Sequence, residues 1–270
     1  MNILVYVVAV VMGFLLGLLG GGGSILNVPA LVYLAGIEPI RATAFSLFIV
    51  GTTAFIGTVN ASIKKQVHWA SVLVFAMPSL VAVWITRKWI VPTVPNVLLQ
   101  TDNFTISKNI VLMLLFAVIM MLAAQNMIVQ PCFNCDATEV DIKNFNFLSM
   151  ISKSVGIGFL TSLVGAGGGF LIVPALITSA KLPFRLAVGS SLTIIAINSL
   201  IGFISDAQPL FASDWKFLLS FTLLSILGII VGNKINKYIK GAKLKKIFGW
   251  FTLIIAVLMV FAEFFKMICF

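Results

Sequence analysis

The chain has 270 residues, 60% of them hydrophobic and 10% charged, with a mean hydropathy of +1.14. Soluble domains carry about a quarter charged residues, so eighteen Lys/Arg and eight Asp/Glu cannot coat a globule of this size. A soluble enzyme, a disordered chain and a fibre are excluded, which leaves a polytopic membrane protein. Its apolar runs are continuous and about twice the length of a barrel strand, so the fold class is all-α. The net charge of +10 does not indicate nucleic acid. Lys234, Lys237, Lys240, Lys243, Lys245 and Lys246 lie in one stretch that reads as a cytoplasmic loop.

In chain order, a helix over 3–19 leads into a glycine-rich break and a short apolar segment at 25–36. Helices follow at 42–60, 68–86 and 109–127. A polar linker at 128–146 holds Pro131, Cys132, Cys135 and three acidic residues. The layout then recurs: 148–164, a break, 170–180, 186–204, 215–232 and 246–263. The recurrence has a register. Gly20-Gly-Gly-Gly-Ser-Ile-Leu-Asn-Val-Pro-Ala-Leu31 matches Gly165-Ala-Gly-Gly-Gly-Phe-Leu-Ile-Val-Pro-Ala-Leu176 at an offset of 145. Ser46 with Ser191, Leu47 with Leu192 and Gly57 with Gly202 keep the same offset. The predicted organisation is therefore two homologous four-helix halves, 1–127 and 147–270, joined by the loop 128–146. Residues 3–19 have a partner at 148–164 and no basic stretch before them, so they belong to the fold rather than to a signal peptide.

The short segments have about 17 Å of helix, too little to cross roughly 30 Å of hydrocarbon. Each is a broken or a re-entrant half-helix. If broken, the halves lie parallel; if re-entrant, they are inverted. Both arrangements place 12 cations on the side of Lys234–Lys246 and 6 on the other, so charge bias does not choose between them.

Irregular backbone at membrane depth is tolerated where protein buries it or water fills a cavity. Glycine allows positive φ and close approach, and helix starts present N–H groups and a positive dipole end. Two such breaks near the midplane predict a small anion site. Its candidates are Gly20, Gly21, Gly22, Gly23, Ser24, Asn27 and Ser46, with Gly165, Gly167, Gly168, Gly169, Ser190, Ser191 and Asn198. Thr43, Thr52, Thr53 and Thr193 add further hydroxyls. The competing reading is structural: small residues for close helix packing and hydroxyls bonded to helix backbone.

Carboxylates are absent from the predicted helix centres; Glu263 lies near a helix end. A cation substrate and a carboxylate proton relay are therefore disfavoured. An anion leaving a negative interior gains roughly 2.3 kcal/mol per 100 mV, so export needs no coupling ion. The lone Cys132-x2-Cys135 pair has no second pair and a single distant histidine, His68, so no metal or other cofactor is expected. The five tryptophans read as an interfacial belt, and Gly20–Gly23 lacks the Lys-Ser/Thr of a P-loop.

The doubled Gly-Gly-Gly…Val-Pro-Ala-Leu motif, the Ser46-Leu47 and Ser191-Leu192 pairs, Asn60 and the Val67-His68-Trp69 step resemble the TauE/SafE family of anion transporters over nearly the whole chain. The resemblance implies a multi-pass bacterial or archaeal inner-membrane permease that exports or imports sulfite, sulfoacetate and related anions; a monomer or homodimer is expected. Alternatives are a transporter of another small anion such as a carboxylate, or a membrane thiol-redox or assembly protein using Cys132 and Cys135.

Overall fold

The computed structural model describes residues 3–93, 95, 97–101, 104–129, 147–165, 167–206, 212–236 and 241–269. Cys132, Cys135 and nearly all of the 128–146 linker lie outside them. The fold is all-α apart from one short hairpin. Helix α1 (Ile3–Leu19) ends at Gly20, whose φ of 65° breaks the helical path. A 3-10 turn (Gly22–Leu26) and α2 (Asn27–Tyr33) follow. Next comes α3 (Pro39–Ile63), with proline in its first turn, where the missing N–H costs nothing. Helix α4 (Trp69–Ile85) is capped by the His68 ring, which accepts from the Ser71 N–H. It continues through a π-helical turn (Thr86–Ile90) into α5 (Val91–Thr93). Strands β1 (Val97–Thr101) and β2 (Phe104–Ser107) pair antiparallel. They were not anticipated, being short and set in a proline-flanked connection.

Helices α6 (Lys108–Val129), α7 (Phe147–Val164), α8 (Gly169–Ser179), α9 (Phe184–Ile204), α10 (Ala212–Ile235) and α11 (Gly241–Cys269) complete the chain. Among the described residues, six helices are long and apolar enough to cross a membrane; α1 and the apolar part of α11 are shorter.

The largest contacts run between helices on opposite sides of the linker: α1 with α10, α3 with α9, α6 with α11 and α4 with α7. Along α1 and α10 the approach is backbone to backbone. Gly13 and Gly17 face Ser225 and Gly232, and the Ser225 hydroxyl donates to the Ala9 carbonyl at 3.1 Å. This is the close packing that small residues four apart permit. Helices α3 and α9 run antiparallel, since Gly51 faces Leu200, Gly57 faces Leu192 and the Phe48 ring meets Phe203 at 5.1 Å.

Both short segments turn back. Lys153, near the start of α7, donates from Nζ to Thr178 Oγ1 (3.2 Å) and Ser179 Oγ (3.0 Å) at the end of α8. In the first segment a Cβ on Gly23 would lie 2.5 Å from the Leu16 nitrogen and the Met12 oxygen, so the 3-10 turn lies against α1. Of the two arrangements that charge counting leaves open, the structure has the one with re-entrant segments.

Candidate functional site

The two breaks touch. Gly21 adopts φ 129°, and a Cβ built on it would sit 2.4 Å from Gly169 Cα; one built on Gly169 would sit 2.3 Å from Gly21 Cα. Around this contact the other glycines are packed as closely. Gly20 meets Val188, Gly165 meets Thr43, Gly167 meets Ser199 and Val50, and Gly168 meets Thr161. At these glycines the space a Cβ would take is occupied: the missing Cβ atoms let the two segments and their neighbours approach. Gly22 opens the 3-10 turn.

Room appears one step along the first segment. A narrow, partly open crevice is bordered by Gly23, Ser24, Asn27, Thr53 and Ser225. Asn27 Oδ1 and Thr53 Oγ1 are buried without a hydrogen-bond partner, while the Ser24 hydroxyl donates to the Gly21 carbonyl at 2.6 Å. Ser46 Oγ is likewise buried and unmatched. A buried polar atom left unmet costs about 1–3 kcal/mol, so these oxygens mark a place for a ligand or water.

The second-half candidates serve the scaffold. The Ser190 hydroxyl accepts the His68 N–H at 2.9 Å. Ser191 Oγ reaches the carbonyls of Gly20 and Val188. Asn198 Nδ2 donates to Ser79 Oγ at 2.9 Å, beside Pro78 in α4. For Ser190, Ser191 and Asn198 the hydrogen-bonding partners are thus protein groups.

A larger cavity, about 460 Å3, opens where α3 and α10 end and α9 begins. Among the described residues, Asn60, Lys64, Gln66, Arg185, Asn233 and Asn236 line it, and no carboxylate does. It lies about one helical turn beyond Gly57 and Ile229, which pack together and against Leu192. Thr53 and Ser225 lie about one turn further in, so a single apolar layer separates the two cavities.

The opposite end of α3 and α9 holds a buried cation just past the helix predicted over 68–86. Arg87 is 1% exposed, and its Nη1 donates to Asp206 Oδ2 at 2.8 Å and to Thr43 Oγ1 at 3.1 Å. Beyond the adjacent cations Arg87 and Lys88, the apolar residues Trp89, Ile90 and Val91 carry the helix on. Among the described residues no group of three or more His, Cys, Asp or Glu is placed to hold a metal ion.

Comparison with known proteins agrees with this architecture. The sequence profile of the family described as "Sulfite exporter TauE/SafE" matches residues 4–259. A "Probable membrane transporter protein" of Xylella fastidiosa strain 9a5c is 29% identical over 252 residues, covering 91% of this chain and 89% of the relative. The "Probable membrane transporter protein YunE" of Bacillus subtilis is 26% identical, covering 86% and 89%. A "Probable membrane transporter protein" of Haemophilus influenzae is 25% identical, covering 94% and 96%. No solved structure gives a significant match. A multi-pass helical bundle with two glycine-rich re-entrant segments, matched by one family profile from residue 4 to residue 259, belongs to the TauE/SafE sulfite exporter family of membrane transporters.

Proposed function

We propose that this transporter moves small sulfur-containing oxyanions such as sulfite or sulfoacetate, and that the 460 Å3 cavity is its cytoplasmic mouth. The observation that carries this reading is the lining of that cavity: Lys64 and Arg185 with four side-chain amides and no carboxylate. Such a set attracts anions, repels cations and supplies donors to replace hydration. Its side follows from charge. For a re-entrant arrangement, charge counting along the sequence assigns 12 of the 18 cations, Lys64, Lys65, Lys143, Lys153, Lys181, Arg185 and the six lysines of 234–246, to one side, which is the cytoplasmic side by the positive-inside rule.

From this mouth the anion passes the Gly57–Leu192–Ile229 layer into the cavity at Ser24, Asn27 and Thr53. The glycines Gly20–Gly23, Gly165 and Gly167–Gly169 act as the frame that lets the two re-entrant segments meet at the midplane, in the manner of paired broken helices in secondary transporters.

The test is flux in proteoliposomes with an imposed potential, interior negative. Labelled sulfite or sulfoacetate moves outward with no proton or sodium gradient, and Arg185→Gln lowers the rate by about tenfold. Flux of acetate or malonate without flux of either sulfur anion would overturn the substrate class.

A further inference from the structure

The sequence repeat places each residue of the Arg87 cluster opposite the 460 Å3 cavity. At the offset of 145, Thr43 corresponds to Val188, Asp206 to Ala61 and Arg87 to Gly232. Val188 and Ala61 line the cavity, and Gly232 adjoins its lining residue Asn233. Because α3 and α9 run antiparallel, these corresponding places lie at opposite ends of the molecule. One end opens into the cavity, and at the other, among the described residues, a guanidinium, a carboxylate and a hydroxyl are packed together. Repeats that rock against each other give such one-sided openness in alternating access.

Arg87 is also incompletely used. Nη1 serves Asp206 and Thr43, but Nε and Nη2 are buried and have no hydrogen-bond partner. Nε and Nη2 form an edge of the guanidinium suited to two parallel bonds to an oxyanion. A lysine in the same ion pair would have no such fork.

We infer that Arg87, Asp206 and Thr43 form the closed outer gate of this transporter, and that the Nε–Nη2 edge of Arg87 binds the oxyanion when the gate opens. The inference rests on the transport reading above. In the closed state Asp206 neutralises Arg87. On opening, the anion takes over part of that charge compensation, so Asp206 releases the guanidinium only when an anion is present to replace it. Charge in the gate then stays balanced, and gate opening is coupled to cargo.

The experiment uses the full chain with Cys132, Cys135 and Cys269 replaced by serine. Ser46→Cys serves as reporter, one helical turn deeper on α3 than Thr43. Vesicles present the face opposite Lys234–Lys246 to a charged, membrane-impermeant thiol reagent. With the gate intact, Ser46→Cys reacts slowly. Asp206→Asn and, separately, Arg87→Gln raise its rate tenfold or more. The swap Arg87→Asp with Asp206→Arg restores slow labelling, which also shows that the swapped chain folds. External sulfoacetate speeds labelling in the intact gate, chloride at equal ionic strength does not, and Arg87→Lys abolishes the sulfoacetate effect while labelling without anion stays slow. Equal labelling of the intact gate, Asp206→Asn and Arg87→Gln, with wild-type sulfite flux present, overturns the gate. A sulfoacetate effect that survives Arg87→Lys overturns the anion edge. Absence of sulfite and sulfoacetate flux in the wild type, with the rise in Asp206→Asn present, would remove the substrate assignment and leave the gate standing.

Discussion

The two re-entrant segments share Val-Pro-Ala-Leu, at Val28–Leu31 and Val173–Leu176, but differ in the turn before it. At the offset of 145, Ser24 corresponds to Gly169 and Asn27 to Ile172. The first segment starts as a 3-10 turn and borders a cavity; the second is α-helical from Gly169 onward, and Ile172 is buried in an apolar core. Asn27 is 4% exposed with an unmatched carbonyl, whereas Ile172 is 1% exposed among hydrophobic neighbours. An amide oxygen left unmet in a core is a standing cost, and its position beside a cavity supports the anion path proposed above. In that proposal the first segment carries the polar groups while the second supplies packing.

The strongest way to break this picture is at the point both copies need. Gly21→Val puts a branched side chain where a single Cβ already meets Gly169 Cα at 2.4 Å, on a backbone with φ 129°. Overpacking of about 1–3 kcal/mol and a strained backbone of about 1–3 kcal/mol both apply. Thermal unfolding in detergent should show a loss of about 4 kcal/mol or a chain that does not fold. Gly36→Ala is the matched control: φ is 67° but nothing lies within 4 Å, so only the strain cost, about 1 kcal/mol, is expected. Equal losses in the two variants would show that close approach of the segments contributes nothing.

Asn27→Leu and Ile172→Asn sharpen the contrast because their effects have opposite signs. Leucine at 27 removes the unmet amide, so stability rises by about 1 kcal/mol while sulfite flux falls by tenfold or more. Asparagine at 172 buries a new amide without a partner and costs about 2–4 kcal/mol. Retained flux in Asn27→Leu would remove the first segment from the site. Asn198→Leu lies lower on the scale. It strands Ser79 Oγ, whose other bond is to the Ala76 carbonyl, beside the Pro78 interruption of α4, and should cost about 1–2 kcal/mol with substrate affinity unchanged.

Most of the bundle was legible in the sequence because apolar runs mark helices and glycine-rich breaks mark their ends, and α1, α7 and α8 match the expected spans to within a residue. The ends were less legible. The run 246–263 was visible, but α11 extends over Gly241–Cys269, since lysines at its start do not interrupt helical hydrogen bonds. The site was half legible. Glycine spacing located the meeting point of the segments, but glycine clusters suit an open cradle and a packed contact equally, and only coordinates show which neighbours fill the gap. The burial of Arg87 was not legible for a related reason: an arginine at the end of an apolar run reads as interfacial unless its partner is known, and Asp206 lies 119 residues away.

The smallest effect concerns how the second segment is fastened. Lys153 is exposed, and its two bonds to Thr178 and Ser179 hydroxyls tie the end of α8 to the start of α7. In the first half Val8 stands where Lys153 does, and the end of α2 is held instead by the Tyr33 hydroxyl, which donates to Glu263 Oε1 at 2.8 Å. Solvent competes for an exposed ammonium, and Lys153→Met should cost only about 0.5 kcal/mol. Its signature is local. Amide exchange over 176–180 should quicken severalfold, and exchange over 27–33 should not change if the segments are fastened separately. Faster exchange in both would mean that loosening the end of α8 travels through the Gly21–Gly169 contact, making the two segments one cooperative unit rather than a packed frame and a polar site resting on it.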